Sequence, residues 1–381
     1  MLQIALKMLV GDRAKYFALV FGIAFATLLM SQQVSIFIGL MTRTANQVLD
    51  IREADIWVMD ARVRYVDEVE ALPDEALGRV RSVAGVEWAV PLYKGLAILR
   101  TPAGELNQVS LIGVDDATLV GAPRKWLAGD LSSLREPDAI VFDPQGAAFI
   151  WPGDDPVAAV GRQAEINDYR VAVRGIADAS APFITFPIAY TRYSLAARIT
   201  PPTRNKTSFV LVRAGEGEDR EALARRIEEA TGYQALTRLQ FAWRSVNYYL
   251  TRTGIPVNFG ITIALAVIVG VAITAQTLYL FVVENLKQFG ALKAIGATNA
   301  QIAAMVLLQS AVVGAIGFGL GIGVCAVFFM VTKDVPALEG FVLRPEVLAG
   351  VGAVVAIIII LASLGSLTKV FRVDPAIVFR G

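Results

Sequence analysis

Four stretches of the chain contain no charged residue: 16–42, 253–283, 294–332 and 347–368. Each is longer than the roughly 20 residues a helix needs to cross a hydrocarbon core, and each therefore predicts a membrane span. The first follows Lys7, Arg13 and Lys15, as a signal peptide would. It is too long for an h-region of roughly 7–15 residues and is read as a retained span. The predicted layout is an N-terminal segment with span one (1–42), a large domain (43–252), span two (253–283), a connector (284–300), span three (301–332), a loop (333–346), span four (347–368) and a tail (369–381).

Within 43–252 the pattern shortens to that of a soluble α+β domain. Residues 53–60 read as a strand, and Pro73 opens a helix that Gly85 ends. Residues 86–100 and 107–114 read as strands joined by a turn at Pro102, Ala103 and Gly104. The same order returns later, with a strand at 207–213, a charged helix at 217–230 stopped by Gly232, and a strand at 233–237. Two β-α-β units of this kind can share one sheet in a split βαβ arrangement, with 115–202 as a β-rich insertion holding short strands at 139–142 and 170–176. The expected fold class is an α-helical membrane protein with four transmembrane helices plus an α+β extracytoplasmic domain, a split βαβ part carrying a β-rich subdomain.

Composition agrees. The 381 residues are 55% hydrophobic with mean hydropathy +0.55, too apolar for an ordinary soluble domain. A net charge of +1 gives no footprint for nucleic acid. Histidine is absent, and the single cysteine, Cys325, lies in an apolar run, so neither a thiolate metal site nor an ordinary general base is offered. Asp115/Asp116 and Asp154/Asp155 read as solvated turns, and Ser82 and Ser110 have no histidine to activate them. The charges orient the spans: the N-terminal lysines and arginine, Lys287 and Lys293, and Lys369, Arg372 and Arg380 all fall on one side, expected to be the cytoplasm.

Several features have two readings. Gly317/Gly321 and Gly319/Gly323 have small-xxx-small spacing, suited to intrachain packing or to a second copy. Phe183, Phe186, Tyr190 and Tyr193 line a groove or fill a core. Trp243, Arg244, Tyr248, Tyr249 and Arg252, leading into span two, read as anchors at a lipid–water interface and, compatibly with that, as part of a stalk helix. Gln32, Gln33, Asn258 and Gln276 read as interhelical hydrogen-bonding groups.

The connector is the segment with the most to say. Leu286, Phe289, Leu292 and Ile295 recur every three residues as one apolar stripe, with Lys287, Gln288 and Lys293 off it. Gly290 and Gly296 suit close approach or a helix stop. A charged helix between two spans rests at a membrane face, as an inert amphipathic connector or as a docking element. The string VENLKQFGALKAIGATNAQI resembles the MacB-like and FtsX-like permeases of ABC transporters, in Glu284, Gly290, Ala291, Leu292, Lys293, Ala294, Ile295, Gly296 and Ala297. The four-span layout matches too, and the span-two sequence is similar to the DevC-type branch.

The resemblance implies a mechanotransmission permease that burns no ATP itself. The chain holds no G-x-x-x-x-G-K-[ST] loop, so ATP and Mg would be bound by a partner ABC ATPase, and no cofactor is expected in this chain. Residues 285–295 would be the coupling helix, with Glu284, Lys287, Phe289, Gly290, Leu292, Lys293, Ile295 and Gly296 as the coupling set. Further implied partners are a second permease copy, membrane lipids, a periplasmic adaptor and an outer-membrane channel. The expected location is the inner membrane with both termini cytoplasmic. The implied task is export of a lipid-like or amphipathic substrate, or FtsX-like activation of an external partner. An ion-coupled transporter is disfavoured by the uncharged spans, and an enzyme by the missing histidine.

Overall fold

Hydrocarbon offers backbone amides no partner, so long uncharged runs satisfy them internally as helix. In the computed structural model four of the described helices are long and apolar enough to cross a membrane: Arg13–Asp50, Ile255–Glu284, Asn299–Val331 and Pro345–Thr368. The structure describes residues 2–11, 13–183, 186–201, 206–333, 335, 338 and 341–371. Arg372, Arg380 and part of loop 333–346 lie outside the described residues.

The chain opens with α1 (Leu2–Gly11), which the sequence pattern does not separate from span one, and α2 (Arg13–Asp50). The first half of the intervening domain holds β1 (Ile56–Met59), α3 (Ala76–Arg81), β2 (Val86–Arg100), β3 (Leu106–Val114), β4 (Lys125–Ala128), β5 (Ala139–Phe142) and α4 (Pro144–Ile150). Its second half holds β6 (Gln163–Ile166), β7 (Tyr169–Asp178), β8 (Ile188–Arg192), α5 (Tyr193–Ile199), β9 (Phe209–Ala214), α6 (Arg220–Thr231), β10 (Gln234–Thr237) and α7 (Arg238–Arg252). Last come α8 (Ile255–Glu284), α9 (Leu286–Ala294), α10 (Asn299–Val331) and α11 (Pro345–Phe371). Two compact units result, one from residues up to Gly39 together with those from Gly254 onward, the other Leu40–Thr253.

In the intervening domain the strand order is β10-β1-β9-β2-β3-β8-β5-β7-β4, with β6 against β2 and β7. The first four strands are the two β-α-β units interleaved, with α3 and α6 packed over Ile56, Val58, Val210 and Val212. β2 serves two ladders. Its first half pairs with β9 as far as Leu92, and from Tyr93 on it pairs with β3. The strands of the predicted insertion continue this sheet through a parallel β3–β8 ladder, Ser110↔Ile188 to Val114↔Arg192. The opposite face of the sheet holds Trp57, Phe209 and Phe241, ring centroids 5.3–5.8 Å apart, with Ala45 and Val48 from the end of α2.

The first helix does not stop where its uncharged run stops. Arg43 and Thr44 are buried, and the helix runs on to Asp50 because Ala45 and Val48 are core residues of the domain. The interfacial-anchor reading of α7 also changes. Tyr248 stacks on Tyr65 at 4.3 Å, and Tyr249 packs on Phe183 at 4.3 Å, so these rings belong to the domain's own packing. Trp243 is 64% exposed. Tyr190 is buried, and the Tyr193 hydroxyl pairs with Thr207 at 2.9 Å.

In the membrane unit the two glycine pairs of α10 face different ways. A Cβ at Gly317 would fall 2.8 Å from Ile23, and one at Gly321 would fall 2.5 Å from the Ala24 carbonyl, so this pair seats α2. Gly319 and Gly323 have nothing within 4 Å. The buried interhelical hydrogen bonds are not made by the four amides singled out from sequence: Gln32 and Gln33 are half-buried, and Asn258 and Gln276 are exposed. Among the described residues such bonds include Ser363 to Ser310 (3.0 Å) and the Gln309 amide to the Ala5 carbonyl (2.7 Å), which fixes α1 against α10.

Candidate functional site

The connector is built from its two ends inward. α8 ends at Glu284, and Asn285 turns the chain: its backbone N–H and its side-chain amide both donate to the Phe281 carbonyl (3.2 and 2.8 Å). α9 follows for nine residues. It ends in a Schellman motif in which Ala297 N–H donates to Leu292 O and Gly296 N–H to Lys293 O, both at 2.9 Å. Gly296 has φ +104, a left-handed conformation that glycine adopts without a Cβ clash. Thr298 and Gln301 then form a capping box that starts α10. The start and stop chemistry thus limits α9 to about two and a half turns.

The inner face of α9 holds it to the bundle. Phe289 is fully buried among Phe281, Val282, Ile302, Val306 and Leu367, with Leu286, Leu292 and Ala297 packed at the edge. Burying that ring contributes roughly 1.5–3 kcal/mol. Gly290 is buried beside it. Lys293 donates to the carbonyl of Phe371, at the end of α11 (3.2 Å), a favourable place for a cation. Glu284 forms an ion pair with Lys15 at the foot of α2; with the carboxylate about half exposed, screening leaves it about 0–1 kcal/mol.

The outer face presents Lys287, Gln288, Ala294 and Ile295, all exposed, with Ile295 at 85%. The predicted four-residue apolar stripe is therefore not a single face. At about 100° per residue, a row of i+3 positions drifts by roughly 60° each step, so Ile295 ends up opposite Leu286. The structure separates the sequence-predicted set into anchors (Phe289, Gly290, Leu292, Lys293), an outward pair (Lys287, Ile295), a stop signal (Gly296) and a link to α2 (Glu284). The predicted coupling set left out Gln288 and Ala294, which rotation at the helical period would have placed beside Lys287.

The other candidate groups take structural roles. Asp115 accepts from Thr118, Asp116 from Ser194 and Asp155 from Val157 N–H, while Asp154 pairs with Arg162 at 2.6 Å. The Ser82 hydroxyl donates to the Arg79 carbonyl. Among the described residues no cluster of metal-binding side chains occurs.

Comparison with known proteins follows the same division. Residues 16–230 match the model of the MacB-like periplasmic core domain, and residues 260–375 that of the FtsX-like permease C-terminal region. An uncharacterized ABC transporter permease of Mycobacterium bovis is 33% identical over 118 residues, which are 30% of this chain and 31% of that protein. The chain thus spans about a third of the length of that relative. An uncharacterized ABC transporter permease of Mycobacterium tuberculosis is 27% identical over 315 residues, 81% of this chain and 79% of the relative. Among solved structures, the periplasmic region of MacB from Actinobacillus actinomycetemcomitans is similar at TM-score 0.40 and 11% identity, covering 54% of this chain and 96% of that one. The extracellular domain of the transporter YknZ from Gram-positive bacteria is similar at TM-score 0.35 and 13% identity, covering 48% and 98%.

Proposed function

The chain belongs to the MacB/FtsX-like permeases of ABC transporters, and on that premise we propose that α9 is the helix through which a separate ATPase subunit drives it. The supporting observation is the two-sided build of α9: an inner face locked by Phe289 and an outer face offering an 85% exposed isoleucine beside Lys287. A side chain of that kind suits a shallow apolar groove with an acidic rim. In this reading ATP and Mg sit on the partner, and closure of two ATPase subunits pushes the α9 helices of two permease copies. The bundle passes the motion to the extracytoplasmic domain. A lipid-like or amphipathic substrate is then driven outward with a periplasmic adaptor and an outer-membrane channel. The chain sits in the inner membrane with both ends and α9 in the cytoplasm.

Sidedness is the direct test. Cys325 is buried and is the single cysteine, so Lys287→Cys introduces one reactive thiol. An impermeant maleimide should label it in inside-out vesicles and leave it unlabelled in right-side-out ones. Labelling from the outside overturns the assignment, as does ATP hydrolysis by the purified chain alone.

A further inference from the structure

In the intervening domain the end of α2 and the sheet beside it enclose a cavity of about 240 Å³. Its walls are Gln47 and Asp50 of α2, Ile112 of β3, Tyr190 of β8, the 121–125 segment and residues 178–180 at the end of β7. Gln47 and Asp50 are three residues apart and so share one side of the helix. The Gln47 Oε1 is buried and has no hydrogen-bond partner among the described residues. Asp50 accepts from the Ser180 hydroxyl on one oxygen (2.9 Å) and from the Ser180 N–H on the other (3.3 Å), both neutral donors. Tyr190 is 6% exposed, and its hydroxyl can accept as well as donate.

The other charges around the cavity are engaged or in solvent. Lys125 pairs with Asp178, and Arg124 with Glu53. Arg52 is exposed and acts on Asp50 by charge alone, without a hydrogen bond. Burial is the largest influence on the Asp50 carboxyl and pushes it above the ordinary range, against the Ser180 bonds and Arg52. A partly buried carboxylate held by neutral donors has no counter-charge in contact with it, and a cation brought to it is stabilised there.

The site therefore calls for hydrogen-bond donors that carry positive charge. A primary ammonium offers three N–H groups and no acceptor, which answers a carboxylate, an amide oxygen and a phenol oxygen together. A water could satisfy Gln47 but would leave Asp50 without a counter-charge. A metal ion is a poorer match: calcium takes about six or more oxygen ligands, and among the described residues no cluster of metal-binding side chains occurs. Ile51, Ile112 and Pro123 supply an apolar wall for a short alkyl chain. Sites for drug-sized ligands run to roughly 300–1,000 Å³, so this cavity suits a smaller molecule.

We propose that this cavity binds a small primary alkylammonium, its N–H groups on Asp50, the Gln47 Oε1 and the Tyr190 hydroxyl, and its chain against Ile51, Ile112 and Pro123. The occupant ties the end of α2 to the β7–β4 edge of the sheet. The site is separate from α9, and the inference does not rest on the ATPase reading.

The test uses the full chain in nanodiscs without nucleotide and follows trifluorobutylamine, fluorinated at the chain end, by fluorine NMR, with empty nanodiscs as the control for lipid partition. Wild-type protein should broaden the signal saturably. Butylamine should compete, whereas butanol, butyrate and calcium chloride should not. Asp50→Asn keeps an acceptor for Ser180 and removes the charge, and should weaken binding about tenfold or more. Gln47→Leu should weaken it about fivefold with the thermal midpoint unchanged, and Arg52→Gln, at an exposed position, should bind no more weakly than wild type. Competition by butanol, butyrate or calcium equal to that by butylamine overturns the inference. So does undiminished binding in both Asp50→Asn and Gln47→Leu, or broadening no greater than in empty nanodiscs.

Discussion

Replacing Ile295 by alanine separates docking from folding. The residue is 85% exposed, so the substitution leaves no cavity, and the bundle should keep its stability to within about 0.5 kcal/mol. In a docked complex the same side chain is covered. Three CHn groups at about 0.8 kcal/mol each, scaled by the fraction now open, give roughly 2 kcal/mol of lost contact, or about 30-fold in affinity. The assay titrates the partner ATPase onto the chain in nanodiscs, following both association and stimulated ATP hydrolysis, with thermal unfolding of the permease alone as the control. A variant that binds and stimulates like the wild type would refute the assignment of the outer face. A variant that unfolds early would show that Ile295 supports the bundle after all.

Other substitutions have different signatures. Phe289→Ala removes a fully buried ring and should cost about 3–5 kcal/mol, seen as a large drop in the bundle's unfolding temperature. Gly321→Ala places a methyl group 2.5 Å from the Ala24 carbonyl and should destabilise by about 1–3 kcal/mol, whereas Gly323→Ala meets nothing and should be silent in the same melt. Burial pushes the Lys94 ammonium below the ordinary lysine range, with Asp67 opposing. The fold therefore binds fewer protons there than the unfolded chain. Its contribution is fullest above the unfolded pKa of about 10.4 and is lost as pH falls through the lower folded value. The stability of wild type relative to a Lys94→Met, Asp67→Asn variant should thus rise as pH climbs toward the unfolded value of about 10.4, and a flat difference would contradict the burial argument.

The parts of this fold that could be read from sequence are those set by local pattern. Uncharged length marks the spans, and period-two runs bounded by glycine mark β2, β3 and β9. The parallel β3–β8 ladder could not be read, because its partners lie 78 residues apart and no local signal selects between edges. The end of α2 was hidden for another reason: Arg43 breaks the uncharged run, yet it is buried and the helix continues. In the connector, the motif located the right segment but not its faces. Leu292 and Lys293, prominent in the motif, point toward the bundle, while Gln288 and Ala294, absent from the named set, are exposed beside Ile295. A motif records which residue types recur, and rotation about the helix axis decides which of them a partner can touch.

That α9 is fastened at several separate points has a mechanical consequence. Asn285 ties its beginning to Phe281, Phe289 sinks its middle between α8, α10 and α11, and Lys293 holds the final carbonyl of α11. A connector hinged at one end would swivel under load and dissipate the displacement in its own bending. One gripped at its start, middle and end has no such freedom, so a force applied to its outer side must shift three membrane helices together.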